Sequence, residues 1–154
     1  MKTALEIAVI VVIGSVAGAE LGSWCCVQPI VARLPYEQSV ALEQTMLRTF
    51  GRVMPVLMPL SGILAVAFLI VTRADAGVIR VLRITAVVCV AVTIITTLIV
   101  NVPINNRTAE WSLDRDPAEW QRMRARWHNF QGLRGGLYLT TFILLVTAAV
   151  VARQ

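Results

Sequence analysis

The chain has 154 residues, of which 57% are hydrophobic and 15% are charged, and its formal net charge is +5. A soluble domain carries about 25% charged residues, so this composition excludes an ordinary soluble domain and predicts an integral membrane protein of one domain, residues 1–154. No nucleic-acid partner is expected, because each basic segment either contains acidic residues or is part of an apolar run. Cys25 and Cys26 are adjacent, Cys89 is alone and no Cys-x-x-Cys motif occurs, which argues against a zinc site or a redox relay.

Four apolar stretches predict an all-α fold, a four-helix transmembrane bundle with interfacial helical segments on one side. Each stretch is close to the roughly 20 residues that cross the core of a bilayer. The first is interpreted as a retained helix and not as a signal peptide, because Glu6 interrupts the front of its apolar region. The predicted spans cover about 4–31, 53–72, 80–102 and 134–152.

An even number of spans places both termini on one face of the membrane, here named side A, together with the 73–83 connection. The opposite face, side B, then holds the segments 33–52 and 101–134. Side B carries more of the arginines, and the positive-inside rule counts basic residues, so side B is expected to face the cytoplasm. The expected location is a bacterial inner or plasma membrane.

The first span carries a buried acid. Glu20, Trp24 and Gln28 are spaced i, i+4, i+8 and share one helical face. An ionisable group within a membrane costs about 2.5–3.5 kcal/mol, so Glu20 is predicted to face a cavity with a partner and a function. The alternative is a structural Glu paired with Asn or Arg. Gly14, Gly18 and Gly22 form a ladder on the opposite face that permits close helix packing, inside the bundle or in a homo-oligomer.

The second span begins on side B with the sequence MPVLMP, in which Met54 and Met58 are candidate ligand-contacting residues. Methionines are soft copper ligands, but two of them without a histidine pattern are more typical of adaptable packing. Just before this span, Glu37 and Glu43 are predicted to lie on a solvated interfacial helix.

The third span has a polar residue at every fourth position and ends in a proline motif. Pro103 lacks an N–H and frees the carbonyl of Ile99, while Asn101 and Asn105 supply donors and acceptors beside it. The alternative is a packing stripe and a helix stop. The stripe consists of Thr85, Cys89, Thr93, Thr97 and Asn101.

The fourth helix is predicted to begin before its span. Asp116 is a candidate N-cap, followed by Pro117 at the first helical position and Glu119 at the third. His128 is the only histidine and is either a proton acceptor or an ordinary interfacial residue. Arg134 is a natural counter-ion for Glu20 or for an anionic ligand.

All four helices therefore bring polar residues to the side B end, which predicts one site there. No metal ligand set and no cofactor are predicted; haem and copper remain alternatives. The expected partners are a hydrophobic small molecule and the bilayer. The predicted catalytic residues are Glu20, Asn101, Asn105, His128 and Arg134, and the predicted substrate-binding residues are Trp24, Gln28, Met54, Met58, Thr97, Trp127 and Gln131.

Six sequence features occur together: GAELGS, Pro29, the Leu34-Pro35 pair, RVMPVLMP, NVPINNRTAEW and the W-x6-W-x6-R spacing of Trp120, Trp127 and Arg134. In this combination they resemble the motifs of the anthrone-oxygenase-like membrane proteins, over nearly the whole chain. The resemblance implies a four-helix membrane fold, and it implies that an anthrone is oxidised to an anthraquinone by O2 without a known cofactor. It also places Glu20, Asn101, Asn105, Trp127 and Arg134 in the site.

The expected chemistry is proton abstraction followed by reaction with O2. Glu20 would be the base, Asn101, Asn105 and Arg134 would stabilise the oxyanion, and Trp24 and Trp127 would stack on a flat ring system. Two other functions stay open. One is a membrane protein that binds a quinone, lipid or hydrophobic metabolite without turnover, and the other is a haem or copper redox subunit.

Overall fold

The computed structural model describes residues 2–75 and 77–153, and these residues form helices and short connections with no β-strand. Four of the helices are long and apolar enough to cross a membrane, which confirms the predicted all-helical membrane fold. We name them in chain order: α1 is Lys2–Val31, α2 is Tyr36–Val71, α3 is Gly77–Ala109 and α4 is Pro117–Val151.

The outer surface of the bundle is apolar, as a lipid solvent requires. Lipid offers no hydrogen bonds, so backbone groups must pair within each helix while aliphatic side chains can face outward. Exposed aliphatic residues ring the middle of the bundle, and a second apolar set fills its interior. The outward residues include Ile7, Val11, Ile63, Ile70, Val88, Ile95, Ile99 and Ile143, and the interior includes Val9, Ile13, Val16, Phe68, Val90, Tyr138 and Leu145.

Helices α2 and α4 are longer than a bilayer core needs. At 36 and 35 residues each is about 50 Å long, against about 30 Å of hydrocarbon. Their extra length projects on side B, where the sequence predicts the extension of α4 but a separate interfacial helix before the second span. The structure shows instead that the segment before the second span is the first half of α2, continuous with the part that spans the membrane.

The projecting ends are closed by a second apolar cluster, which we name the side B cap. Its indoles pack together, with the rings of Trp111 and Trp120 5.3 Å apart, and Trp111 Nε1 donates a hydrogen bond to Tyr36 Oη at 2.9 Å. The cap gives the membrane bundle a small water-side core of its own. It consists of Val40, Val100, Ile104, Trp111, Trp120, Met123 and Trp127.

The start of α4 follows the predicted capping only in part. Asp116 is the N-cap and its Oδ1 accepts a hydrogen bond from the Ala118 N–H at 2.8 Å, as predicted. Glu119 does not complete a capping box, because its carboxylate accepts a hydrogen bond from Arg107 at 2.5 Å. The α3 and α4 ends are thereby tied together on side B.

On side A, Asp75 in the α2–α3 connection binds Arg83, which is almost fully buried, and Lys2 at 3.3 Å. The hydrogen bond from Arg83 lowers the pKa of Asp75 below its ordinary value, and Lys2 contributes in the same direction. Gly77 opens α3 with a φ of +62°, a conformation that L residues rarely adopt. A single acid therefore joins the start of α1 to the turn between α2 and α3.

The predicted glycine ladder packs at one of its three positions. A Cβ at Gly14 would lie 2.9 Å from Phe142 Cε2, so α4 approaches α1 closely there. Gly18 and Gly22 have no atom within 4 Å of the corresponding point and face open space. The close α1–α4 packing near the site depends instead on Gly132 and Gly135 of α4, which lie against Trp24 and Leu21.

Candidate functional site

The carboxylate of Glu20 is the centre of a buried polar network between α1 and α4. Glu20 Oε2 accepts hydrogen bonds from Gln131 Nε2 at 2.5 Å and from Arg134 Nε at 2.8 Å, and Arg134 Nη2 lies 2.7 Å from the same oxygen. Arg134 also donates to Gln131 Oε1 and, at 3.4 Å, to Thr97 Oγ1 of α3. Arg134 is thus the counter-ion of Glu20, one of the two roles that its position predicts.

The two oxygens of Glu20 have different surroundings. Oε2 has three donors within 2.8 Å, whereas Oε1 accepts no hydrogen bond from any residue in the described ranges. The side chain is only 2% exposed, and what remains accessible belongs to a cavity wall. Glu20 therefore presents one unoccupied carboxylate oxygen to an internal space, which is what a general base or a hydrogen-bond acceptor for a ligand requires.

That space is a cavity of about 290 Å³ at the side B end of the bundle, which we name the Glu20 cavity. Its volume is at the lower end of the range for small-molecule sites, and its wall is mostly apolar. Polar groups are concentrated at the Glu20 network and at Asn105. The wall includes the predicted residues Glu20, Met54, Met58, Thr97, Asn105, Trp127, Gln131 and Arg134, together with Ser23, Glu43, Phe50, Pro55, Pro59, Ile94, Leu98 and Val102.

Two π-helical turns shape the helices around this cavity. In α1 the turn Ser23–Val27 follows Glu20, and in α3 the turn Thr97–Asn101 carries the threonine that Arg134 contacts. Each turn comes just before a proline, Pro29 or Pro103. Because proline has no N–H and its ring crowds the carbonyl four residues back, a wider turn accommodates it without a broken helix.

The sequence predicts that Pro103 frees the carbonyl of Ile99 in α3. It does not predict the π-helical turn that the helix forms there. In the structure the N–H of Val102 bonds to the carbonyl of Thr97, five residues back, and the N–H of Gln28 bonds to the carbonyl of Ser23. Each π-helical turn contains about one residue more than a regular turn. The side chains that follow it are therefore rotated around the helix axis relative to a regular helix. Spacing rules based on 3.6 residues per turn therefore fail past Val27 and past Asn101.

The three residues of the predicted α1 face do not share one cavity in the structure. Trp24 does not lie on the cavity wall: its ring stacks on His128, with centroids 5.7 Å apart and planes 25° apart, and it packs against Gly132. Gln28 and His128 instead line a second cavity of about 520 Å³ nearer to side B. Trp24, Gln28 and His128 therefore form a group apart from Glu20.

The two predicted asparagines of α3 also have different positions. Asn105 Oδ1 accepts a hydrogen bond from Trp127 Nε1 at 2.7 Å, and both residues lie on the wall of the Glu20 cavity. Asn101 is 1% exposed and lies off that wall, and its amide makes no hydrogen bond with any described residue. Of the polar stripe on this helix, Thr93 is fully buried but Thr85 is exposed, so the stripe faces the bundle only in its side B half.

Glu43 is the residue of this region that the sequence analysis missed. It is predicted to be solvated, yet it is 3% exposed, and its Oε1 accepts a hydrogen bond from Arg124 Nη2 at 2.6 Å. The Arg124 guanidinium lies over the ring of Trp127, 4.3 Å from its centroid. Glu43 lines both cavities and is the one residue that their walls share.

The signal for Glu43 is present in the sequence as a helical period. Val40, Glu43 and Leu47 are spaced three and four residues apart and continue, through Met54 and Met58, the buried face of α2. The prediction of an interfacial helix that ends near residue 52 breaks that period. Glu37, which lies off this face, is exposed as predicted.

Comparison with known proteins identifies the family. A family model described as anthrone oxygenase matches residues 44–144, which is 101 of the 154 residues. No curated protein and no solved structure matches the chain. The match covers the cavity residues of α2, α3 and α4 except Glu43, which lies just before it, while the α1 residues of the wall, Glu20 among them, also precede it. Since the match extends over more than half of the sequence and agrees with the four-helix fold, this chain belongs to the anthrone oxygenase family.

Proposed function

We propose that this protein is a membrane-embedded oxygenase that oxidises a flat hydrophobic aromatic substrate, of the anthrone or quinol type, with O2. The observation that carries the proposal is the Glu20 carboxylate, which is held on one oxygen and open on the other at the wall of an apolar cavity. Family membership supports the reaction class. Cavity size and lining support a compact apolar substrate.

In the proposed mechanism Glu20 is the base. An anthrone carries a CH2 group between two aromatic rings, opposite the ketone of the central ring. Loss of a proton from this group gives an electron-rich anion that is delocalised through the rings onto the ketone oxygen. Glu20 Oε1 takes that proton, and the anion transfers electrons to O2 and forms a carbon–oxygen bond. Loss of the second C–H proton and cleavage of the O–O bond then leave C=O and water, so that CH2 + O2 gives C=O + H2O. In this proposal the substrate itself supplies all the electrons and no cofactor takes part.

Donors on the cavity wall stabilise the negative charge. As Glu20 becomes protonated, the Arg134 guanidinium loses part of its partner's charge and becomes available to the oxygen of the substrate anion. Asn105 uses its Oδ1 to hold Trp127 and keeps its Nδ2 as a donor. Trp127, placed by that bond, supplies an aromatic surface for the ring system. Trp24, Asn101 and His128 lie off this wall, so we assign them no contact with the reacting atoms.

We further propose that the protein resides in a bacterial inner membrane with side B in the cytoplasm. The excess of arginines on side B supports this orientation. The site would then lie near the cytoplasmic surface of the bilayer, below the side B cap.

The test is oxygen consumption by the purified protein with a simple anthrone, compared with the spontaneous rate. Glu20→Gln keeps the size of the side chain but removes the base, so the enzymatic rate should fall by about 10²–10⁴-fold. Glu37→Gln is the matched control, because Glu37 is exposed on α2 and lies off the cavity wall. Full activity of Glu20→Gln would exclude Glu20 as the base.

A second candidate is a membrane protein that binds a hydrophobic metabolite without turnover. It is favoured by the closed network of Glu20, Gln131 and Arg134, which compensates the buried charges without a ligand. The same experiment separates the two functions. No oxygen consumption above the spontaneous rate, together with a small molecule extracted from the purified protein and identified by mass spectrometry, would support this candidate. A visible absorption band would instead indicate a haem or copper redox subunit.

A further inference from the structure

The Glu20 cavity has one wall that is also part of the outer surface of the bundle. Six residues line the cavity and are themselves exposed: four on α2 and two on α3. Leu98, for example, is 62% exposed and Phe50 is 41% exposed. We name this region the α2–α3 seam; it consists of Phe50, Gly51, Pro55, Pro59, Leu98 and Val102.

The remaining walls are closed by packing or by ion pairs. Between α1 and α4, Glu20 and Arg134 are buried and bonded to each other. Toward side B, the ion pair of Glu43 and Arg124 and the ring of Trp127 separate the cavity from the second cavity and from water. The seam is therefore the wall at which the cavity is accessible.

The surface around the seam faces lipid. Val56 on α2 and Ile99 on α3 flank it, with 63% and 68% of their surface exposed, and neither lines the cavity. Both belong to the apolar stretches that are long enough to cross the membrane. An opening at this place connects the cavity to the acyl-chain region and not to water.

The sequence of α2 at the seam is suited to an opening. Gly51 has no side chain, and Pro55 and Pro59 lack the N–H groups that would bond the carbonyls of Gly51 and Pro55. Carbonyls that lose their helical partner at membrane depth are tolerated where they line protein or a cavity, and these residues do line the Glu20 cavity. Two carbonyls of this segment therefore lack their regular α-helical N–H partner.

We propose that the α2–α3 seam is a lateral portal through which a flat apolar substrate enters the Glu20 cavity from the bilayer. The proposal rests on the substrate class of the proposed function but not on turnover. A polycyclic aromatic molecule partitions into lipid because most of its surface is apolar. The bilayer then concentrates the substrate at the portal. The ion pair of Glu43 and Arg124, which closes the cavity toward side B, does not have to open.

A portal limits how fast a ligand enters and leaves the cavity, but it does not by itself set the affinity of the bound ligand. The experiment therefore compares the association and dissociation rate constants with Kd. The probe is 9,10-anthraquinone in lipid vesicles that contain the protein, with binding followed by quenching of tryptophan fluorescence in stopped flow. Leu98→Phe narrows the seam, so the association and dissociation rate constants should both fall by about tenfold, and Kd should change much less than either rate constant. Ile99→Phe, one residue away and facing lipid, is the matched control and should change neither rate constant.

Three more variants complete the experiment. Phe50→Ala should widen the seam and raise both rate constants, while Val53→Ala, exposed on α2 but off the cavity wall, should leave them unchanged. Ala125→Phe would narrow the second cavity, which opens toward side B, and should also have no effect. Slower binding in Ala125→Phe with normal rates in Leu98→Phe would overturn the portal, as would equal effects of Leu98→Phe and Ile99→Phe or no binding of the probe to wild type. Because the probe is not turned over, a protein that fails the oxygen-consumption test can still pass this one.

Discussion

Glu20 and Arg134 lie 114 residues apart in the chain, yet their side chains form one ion pair in the bundle. Either residue alone stands out in the sequence, because ionisable groups are rare within apolar stretches of this length. Their pairing was foreseeable, since both were predicted at the same end of the bundle. That the pair shares a single carboxylate oxygen and leaves the other open could not be foreseen. It depends on side-chain rotamers and on the position of Gln131.

The buried ion pair of Glu20 and Arg134 can be tested by substitution of its residues. Arg134→Met leaves the Glu20 charge buried without a partner, so the free energy of unfolding should fall by about 3–5 kcal/mol. The measurement is equilibrium unfolding of the purified protein in mixed detergent. In Glu20→Gln/Arg134→Met no uncompensated charge remains, so this double variant should be more stable than Arg134→Met. Simple additivity of the two single changes would contradict the ion pair as an energetic unit.

At the scale of elements, the helices around the site depart from regular geometry where it matters most. In α1, Trp24 lies at the beginning of the π-helical turn and packs against His128 and Gly132 instead of lining the Glu20 cavity. A regular helix would place Trp24 one turn above Glu20 on the same face, which is what the sequence analysis assumed. The π-helical turn is a response to Pro29, and the residue types alone do not show which response a helix makes to a proline.

The contact between Trp24 and Gly132 can be tested within α4. A Cβ at Gly132 would lie 2.7 Å from Cε2 and Nε1 of Trp24, so Gly132→Ala must displace the indole and should lower the free energy of unfolding by about 1–3 kcal/mol. Gly136→Ala is the matched control, because no atom lies within 4 Å of the added methyl group. It should be neutral or stabilising by at most about 1 kcal/mol, as expected from helix propensity. Equal losses in both variants would contradict the close packing of Gly132.

At the scale of the whole molecule, the outer surface of the bundle is apolar and has to be covered by lipid. The aliphatic residues around the middle of the bundle are exposed in the structure, while the polar network lies inside. The apolar surface is the opposite of the polar surface that water selects, whereas the interior around the polar network is apolar, as in a soluble protein. This arrangement requires both a bilayer and a site whose polar groups satisfy one another.

The position of the membrane can be tested by a charge placed at two exposed leucine or isoleucine positions. Ile63→Lys lies in the middle of the α2 span, so the variant should lose about 2.5–3.5 kcal/mol of insertion free energy and accumulate at lower levels in membranes. Leu113→Lys lies in the side B connection, where the effect should stay within about 0.5 kcal/mol. The measurement is the amount of folded protein recovered from the membrane fraction. Equal recovery of the two variants would place Ile63 outside the lipid.

The sequence by itself determined the elements that local chemistry controls. The length of the apolar stretches specified four spans, and the Asp116-Pro117 cap specified where α4 begins. Because successive spans cross the membrane in opposite directions, the sequence positions of the polar groups placed them at one end of the bundle. Only the tertiary structure decided which of those groups meet. Two π-helical turns changed the helical phase, and a continuous α2 carried Glu43 into the wall that Glu20 and Arg134 share. The reason is physical: a span is a property of one segment, whereas a site is made of side chains whose direction depends on every turn of the helices that carry them.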